Sequence, residues 1–144
     1  MNVYLASRFS RLRELNGYSA DLAAKGIACT SRWLLGGHEW EGTDDDALPQ
    51  EVGANFAFED LTDIEEADVF VCFTEPPRSG PSRGGRHCEY GYALAAEKLI
   101  IVVGHRENVF YCVPLVHFVE TWPEALDLIE SIASGRETVK VIRS

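Results

Sequence analysis

The chain has 144 residues, a formal net charge of -10 and 46% apolar residues, enough for one domain with a sizeable core. Its acidity excludes general binding to nucleic-acid backbones and anionic membranes, both of which need a basic surface. No apolar run approaches the roughly 20 residues of a membrane span, and MNVYLASRF lacks the charged start and long apolar centre of a signal peptide. The four cysteines (Cys29, Cys72, Cys88 and Cys112) show no C-x-x-C spacing. Cys29 and Cys72 fall in predicted strands as small apolar residues, so a reduced, cytosolic protein is expected.

Asn2 to Ala6 reads as a first strand ending at Ser7-Arg8-Phe9. Arg11 to Lys25 follows as a helix with Leu12, Leu15, Leu22 and Ala23 facing inward, and Gly26 suits its C-terminal cap. Ile27 to Trp33 is a second strand. Residues 34–49 form a loop holding His38, Trp40 and Asp44-Asp45-Asp46. The acidic run is a solvated turn without EF-hand spacing, and Trp40 is either a lid over a flat ligand or a partly buried aromatic.

Gln50 to Glu66 is a helix offering Val52, Phe56, Phe58, Leu61 and Ile64 as an apolar face. Val69 to Phe73 is an unbroken apolar strand suited to burial on both sides. A loop dense in Pro, Gly, Ser and Arg spans residues 75–86, followed by a helix through Glu89, Tyr92, Ala93 and Ala96. Leu99 to Val103 is a fourth buried strand, and Val113 to Val119 a fifth, restricted by Pro114. Thr121-Trp-Pro-Glu opens a last helix that stops at Gly135. The tail, Glu137 to Arg143, is an edge strand or an arm on a partner. Alternating strands and helices imply right-handed crossovers. The expected fold is a flavodoxin/Rossmann-like three-layer α/β sandwich, one domain over residues 1–144, with a five-stranded, mainly parallel sheet in order 2-1-3-4-5.

In such a sheet ligands bind where strands end and helices begin. Residues 4–9, 74–89 and 104–110 should therefore converge. Glu89, near a helix start and close to Arg83 and Arg86, reads equally as an ionised nucleophile or as a charge complementing the helix dipole. The loop RSGPSRGGRH reads as an anion cradle or as a soluble surface loop: its glycines admit backbone N–H groups, and its serines and arginines suit phosphate. It matches neither G-x-x-x-x-G-K-[ST] nor G-x-G-x-x-G. Asp60 and Asp63 share a helix face, where one can reach the site while the other is solvated. The four histidines have no zinc-ligand spacing, so neither metal nor cofactor is expected.

VYLA at Val3 to Ala6, EDLTDIEEADVFV at Glu59 to Val71, GGRHCEYGYALA at Gly84 to Ala95 and ENVF at Glu107 to Phe110 resemble the nucleoside 2-deoxyribosyltransferase family, which includes nucleoside 5′-monophosphate N-glycosidases. The resemblance covers most of the chain and is weakest over residues 34–50 and after 120. It implies that Glu89 is the nucleophile, attacking the anomeric carbon to form a covalent glycosyl-enzyme. It implies that Asp60 contacts the base and helps protonate it as it leaves, and that Tyr4 orients the nucleophile. Asn108 resembles an asparagine that reaches a neighbouring subunit's site in the transferases, and the resemblance implies a homodimer or higher homo-oligomer.

One departure bears on substrate. Transferases of the family carry an acidic residue six positions before the nucleophile, where this chain has Arg83. Arginine suits phosphate, and Ser7-Arg8-Phe9 resembles the loop that surrounds base and phosphate in the monophosphate hydrolases. The expected substrate is a (deoxy)nucleoside 5′-monophosphate, with Ser79, Ser82, Arg83, Gly85 and Arg86 around the phosphate. The alternatives are a 2-deoxyribosyltransferase on free nucleosides, supported by Asn108, and a non-catalytic nucleotide-binding module.

Overall fold

The computed structural model describes residues 1–38, 49–80 and 83–135. Five parallel strands form one sheet in the order β2-β1-β3-β4-β5, as the alternation of elements predicts. They are β1 (Asn2–Ala6), β2 (Ala28–Cys29), β3 (Val69–Phe73), β4 (Leu99–Val103) and β5 (His117–Val119). Three helices cross between them, α1 (Leu12–Ala24), α2 (Gln50–Glu66) and α3 (Gly85–Ala95), and a fourth, α4 (Trp122–Ala133), follows β5. Every residue of β3 and β4 is buried, which explains why both strands read as unbroken apolar runs. Val3, Tyr4, Leu5, Phe70, Val71, Ile101 and Val102 form the centre of the core. Thr121 caps α4 by accepting from the Glu124 N–H, and the Glu124 carboxylate accepts from the Glu120 N–H.

Two strands are shorter than expected, for different reasons. After Cys29 the chain turns into a short 3-10 helix, Arg32–Leu35. Side chains take over the sheet's hydrogen bonds there: Ser31 Oγ accepts from the Leu5 N–H at 2.7 Å and donates to the Leu5 carbonyl at 3.1 Å. Trp33 Nε1 donates to the same carbonyl at 3.0 Å, which places Trp33 in the core. At the opposite edge, a turn closed by the Val116 N–H on the Val113 carbonyl delays β5 until His117. Pro114, within that turn, has no N–H to give to a ladder.

The inward faces of two helices also differ from expectation. Leu15 and Leu22 of α1 are buried, but Ala23 is exposed. On α2, Phe58 is exposed, and the inward stripe at its carboxyl end is Asp60, Asp63 and Ile64. That spacing of three to four residues follows the helical repeat, with two carboxylates occupying core-facing positions. Asp63 is not solvated as expected. It is buried, and it accepts from the Arg32 N–H at 2.9 Å and from Arg32 Nε at 2.7 Å. A buried carboxylate is tolerated when paired and hydrogen-bonded in this way. Trp40, the acidic run 44–46, Ser82 and the tail beyond 135 lie outside the described residues.

Candidate active site

The three segments expected to converge do so at the carboxyl edge of the sheet. Register places Tyr4 opposite Phe70 and Cys72 opposite Val102, so the chain leaves β1, β3 and β4 side by side. Glu89 sits in the second turn of α3, and the Tyr4 hydroxyl donates a hydrogen bond to its Oε2. A helix N-terminus acts mainly on its first turn. Glu89 is the fifth helical residue, so the dipole acts on it weakly and the Tyr4 hydroxyl supplies it with a fixed donor. Tyr4 is fully buried and its ring stacks on Phe70, with centroids 5.5 Å apart. Burial first, then the nearby charges of Glu89 and Asp60, hold the Tyr4 phenol well above its ordinary pKa. It therefore stays protonated and available as a donor. These same groups identify Asp60 as a near neighbour of the Tyr4–Glu89 pair. A Cβ added at Gly85 would stand 4.0 Å from Glu89 Oε1, so the first turn of α3 presents bare backbone to the carboxylate.

Asp60 is buried on α2 with His38 beside it: His38 Nδ1 lies 4.0 Å from Asp60 Oδ1, and His38 Nε2 lies 3.3 Å from Glu59 Oε1. Two carboxylates, Glu89 and Asp60, thus approach one buried tyrosine from two different helices. Such a pair allows one group to attack while the other handles a proton.

Beside the first turn of α3 lies a cavity of about 220 Å³ whose lining includes Arg8, Glu75, Arg78, Ser79, Arg86 and Glu107. Its wall carries three arginines against two carboxylates. Arg8 Nη2 is 3.0 Å from Glu75 Oε2, and Arg11 Nη1 is 3.1 Å from Glu75 Oε1. Arg86 is buried and pairs with Glu107, whose Oε1 also accepts the Glu75 N–H at 2.8 Å. Burial opposes the charge on Glu107, but Arg86 and the Glu75 N–H prevail and hold its pKa below the usual carboxylate value. His87 sets Nε2 3.6 Å from Glu107 Oε2 and Nδ1 2.8 Å from the Tyr111 hydroxyl. Burial first, then the adjacent Arg86 charge, lowers the His87 pKa. The loop folds back on the cavity: a Cβ at Gly80 would stand 3.7 Å from Arg8 Nη1, and Arg78 occupies left-handed backbone at φ 62°.

The remaining sequence-predicted residues divide in two. Arg8 and Ser79 line the cavity with Arg86, and Gly85 adjoins Glu89. Ser7 turns its hydroxyl to the Arg8 carbonyl, and Phe9 packs on Trp33 at 6.3 Å. Arg83 is exposed just before α3. Asn108 is exposed and its side chain accepts from the Phe110 N–H, capping the 3-10 turn Val109–Cys112. Sequence reasoning passed over Glu75, Glu107 and His38, and read Arg78 and His87 only as part of the loop RSGPSRGGRH. Glu75 and Glu107 carried one usable signal, since each closely follows a strand at the ligand-binding edge of the sheet. Among the described residues, no group of three or more His, Cys, Asp or Glu side chains is arranged to hold a metal ion. No helix among them is long and apolar enough to cross a membrane.

No protein-family model matches the chain, and no curated protein matches it. Solved structures do. A CMP N-glycosidase of Clostridium botulinum, BcmB, is 20% identical with a TM-score of 0.53, over 90% of this chain and 98% of its own. A 2-deoxyribosyltransferase of Bacillus psychrosaccharolyticus is 19% identical with a TM-score of 0.63, over 87% of this chain and 90% of its own. The fold is therefore that of these two proteins, over almost the whole of each.

Proposed function

We propose that this chain is a nucleoside 2-deoxyribosyltransferase-like enzyme that cleaves the N-glycosidic bond of a (deoxy)nucleoside 5′-monophosphate. The observation that carries the reading is Glu89, held by the buried Tyr4 hydroxyl and facing the bare backbone of Gly85, one turn from an arginine-lined cavity. A Glu89 oxygen attacks the anomeric carbon. The bond from that carbon to the base nitrogen breaks, its electron pair stays with the base, and Asp60 gives the base its proton. Water then attacks the same carbon and returns a proton to Asp60, and the Glu89 carboxylate is released. The phosphate lies in the cavity against Arg8, Arg78 and Ser79, with the exposed Arg83 next in sequence to Gly84 of its lining. The likeness to a CMP N-glycosidase supports a nucleotide as substrate. A second reading, transfer between free nucleosides, is favoured by the Glu75 and Glu107 carboxylates on the cavity wall, which suit sugar hydroxyls better than phosphate. A homodimer, with Asn108 meeting a second subunit, belongs to both readings.

The test is a panel of nucleosides and 5′-monophosphates, with and without an acceptor base, resolved by chromatography for wild type and Glu89→Gln. The proposal expects base release from monophosphates by wild type, lost in the variant. Release confined to unphosphorylated substrates, or undiminished in Glu89→Gln, would overturn it.

A further inference from the structure

His38 has no part in the chemistry above, yet its placement is unusual. Its side chain is only 2% exposed, its ring stacks on Phe56 at 4.3 Å, and its two nitrogens face two carboxylates of adjacent α2 residues. A buried imidazole needs one good acceptor, and Glu59, at 3.3 Å from Nε2, provides it. The other nitrogen, Nδ1, stands 4.0 Å from Asp60 Oδ1, too far for a direct hydrogen bond but within reach of one after a small rotation of either side chain. The cluster continues on the far side of Glu59, where Arg32 Nη1 stands 3.9 Å from Oε2 and Arg32 Nε binds Asp63. On the near side the Asp60 charge acts on Tyr4, whose hydroxyl binds Glu89.

We propose that His38 is a positioning residue for Asp60. It fixes Oδ1 from behind, so that Oδ2 is the oxygen presented to the departing base. Glu59 in turn fixes the imidazole, and Phe56 sets the plane of its ring. The proposal rests on the reading of Glu89 as nucleophile and Asp60 as general acid. It predicts a selective defect. Acid assistance matters when the leaving group is a nucleobase that must depart with a proton, and hardly at all when the leaving group is already stable as an anion. A residue that merely supports the fold slows both kinds of substrate alike.

The experiment compares nucleoside 5′-monophosphates with a 4-nitrophenyl (deoxy)riboside 5-phosphate, whose phenolate departs unprotonated. His38→Phe keeps a ring against Phe56 and removes both nitrogens, whereas His38→Asn retains an N–H near the Nδ1 position. Asp60→Asn serves as the reference. For His38→Phe, kcat on the nucleotide falls at least about tenfold, a fraction of the 10²–10⁴ that a general acid supplies, with KM little changed. Its rate on the nitrophenyl substrate stays within about twofold of wild type, the same pattern as Asp60→Asn, and His38→Asn recovers part of the nucleotide rate. Equal slowing of both substrates by His38→Phe, or no slowing of either, overturns the positioning role while leaving the glycosidase reading intact. Should His38→Phe not fold, a His38→Asn variant that slows both substrates equally overturns it as well. A wild-type protein inactive on both substrates overturns the glycosidase reading, and this proposal with it.

Discussion

Replacing Glu107 by Gln tests how the cavity is held together. The Arg86 side chain is 3% exposed and Glu107 13% exposed, so the pair is nearly out of water. Glutamine retains an oxygen for the Glu75 N–H but removes the charge opposite Arg86. A buried ion whose partner is removed typically costs about 3–5 kcal/mol. The residual carboxamide contact places this substitution at the lower end, about 3 kcal/mol. For a domain of this size about 1 kcal/mol moves Tm by roughly 3 °C, so the expected fall is about 10 °C. Thermal unfolding followed by circular dichroism measures it. A cycle with Arg86→Gln assigns it, because the double variant should lose less than the sum of the singles by about 1.5 kcal/mol or more. A Tm within 3 °C of wild type, or additive single effects, would refute the account of Glu107 as the clamp between β3, α3 and the loop after β4.

The same pair sets acid sensitivity. The folded pKa of Glu107 is lowered, so its contribution is complete above the ordinary value of 4.5 and is lost as pH falls through the depressed folded value. Glu107→Gln should therefore flatten the fall in stability below pH 4.5 in urea titrations. Tyr4→Phe removes the donor to Glu89 but keeps the stack on Phe70. A hydrogen bond to a charged group, worth about 1.5–3 kcal/mol, predicts a ten- to hundredfold loss of kcat and a fall in Tm of about 5–9 °C. Arg8→Ala should raise KM for monophosphates while leaving any rate on free nucleosides unchanged, as measured by initial rates on both. Gly104→Ala should destabilise the chain by about 2–3 kcal/mol in urea unfolding. Gly104 sits at φ +123°, and a Cβ there would stand 2.8 Å from Thr74 Oγ1, which already accepts the His105 N–H at 2.6 Å.

The sheet was legible in the sequence where burial is two-sided. Val69 to Phe73 and Leu99 to Val103 are bounded in the structure where their apolar runs end. Strand order followed from the alternation of elements and the handedness of crossovers. The edge strands were less legible, because their limits are set by side-chain hydrogen bonds from Ser31 and Trp33 and by the Val113–Val116 turn, none of which leaves a periodic signal. Tyr4, Asp60 and Glu89 came from motif resemblance and lie together in space. Glu107 and Glu75 were missed because a carboxylate is not what an anion cradle leads one to seek, and only the folded chain shows each beside an arginine. His38 was missed because sequence spacing says nothing of a loop residue folding under a helix.

Glu75 also bears on what the cavity will admit. Because Arg8 and Arg11 already share its two oxygens, the resting cavity carries far less positive potential than its arginines suggest. A bare inorganic anion would have to draw Arg8 away from a neighbour it already holds, with nothing else to offer in exchange. A phosphate tethered to a sugar and a base arrives with the binding of those groups behind it and can sustain the exchange of partners. On the function proposed above, a partly neutralised cavity of this kind favours whole nucleotides over the free phosphate and chloride of the surrounding solution.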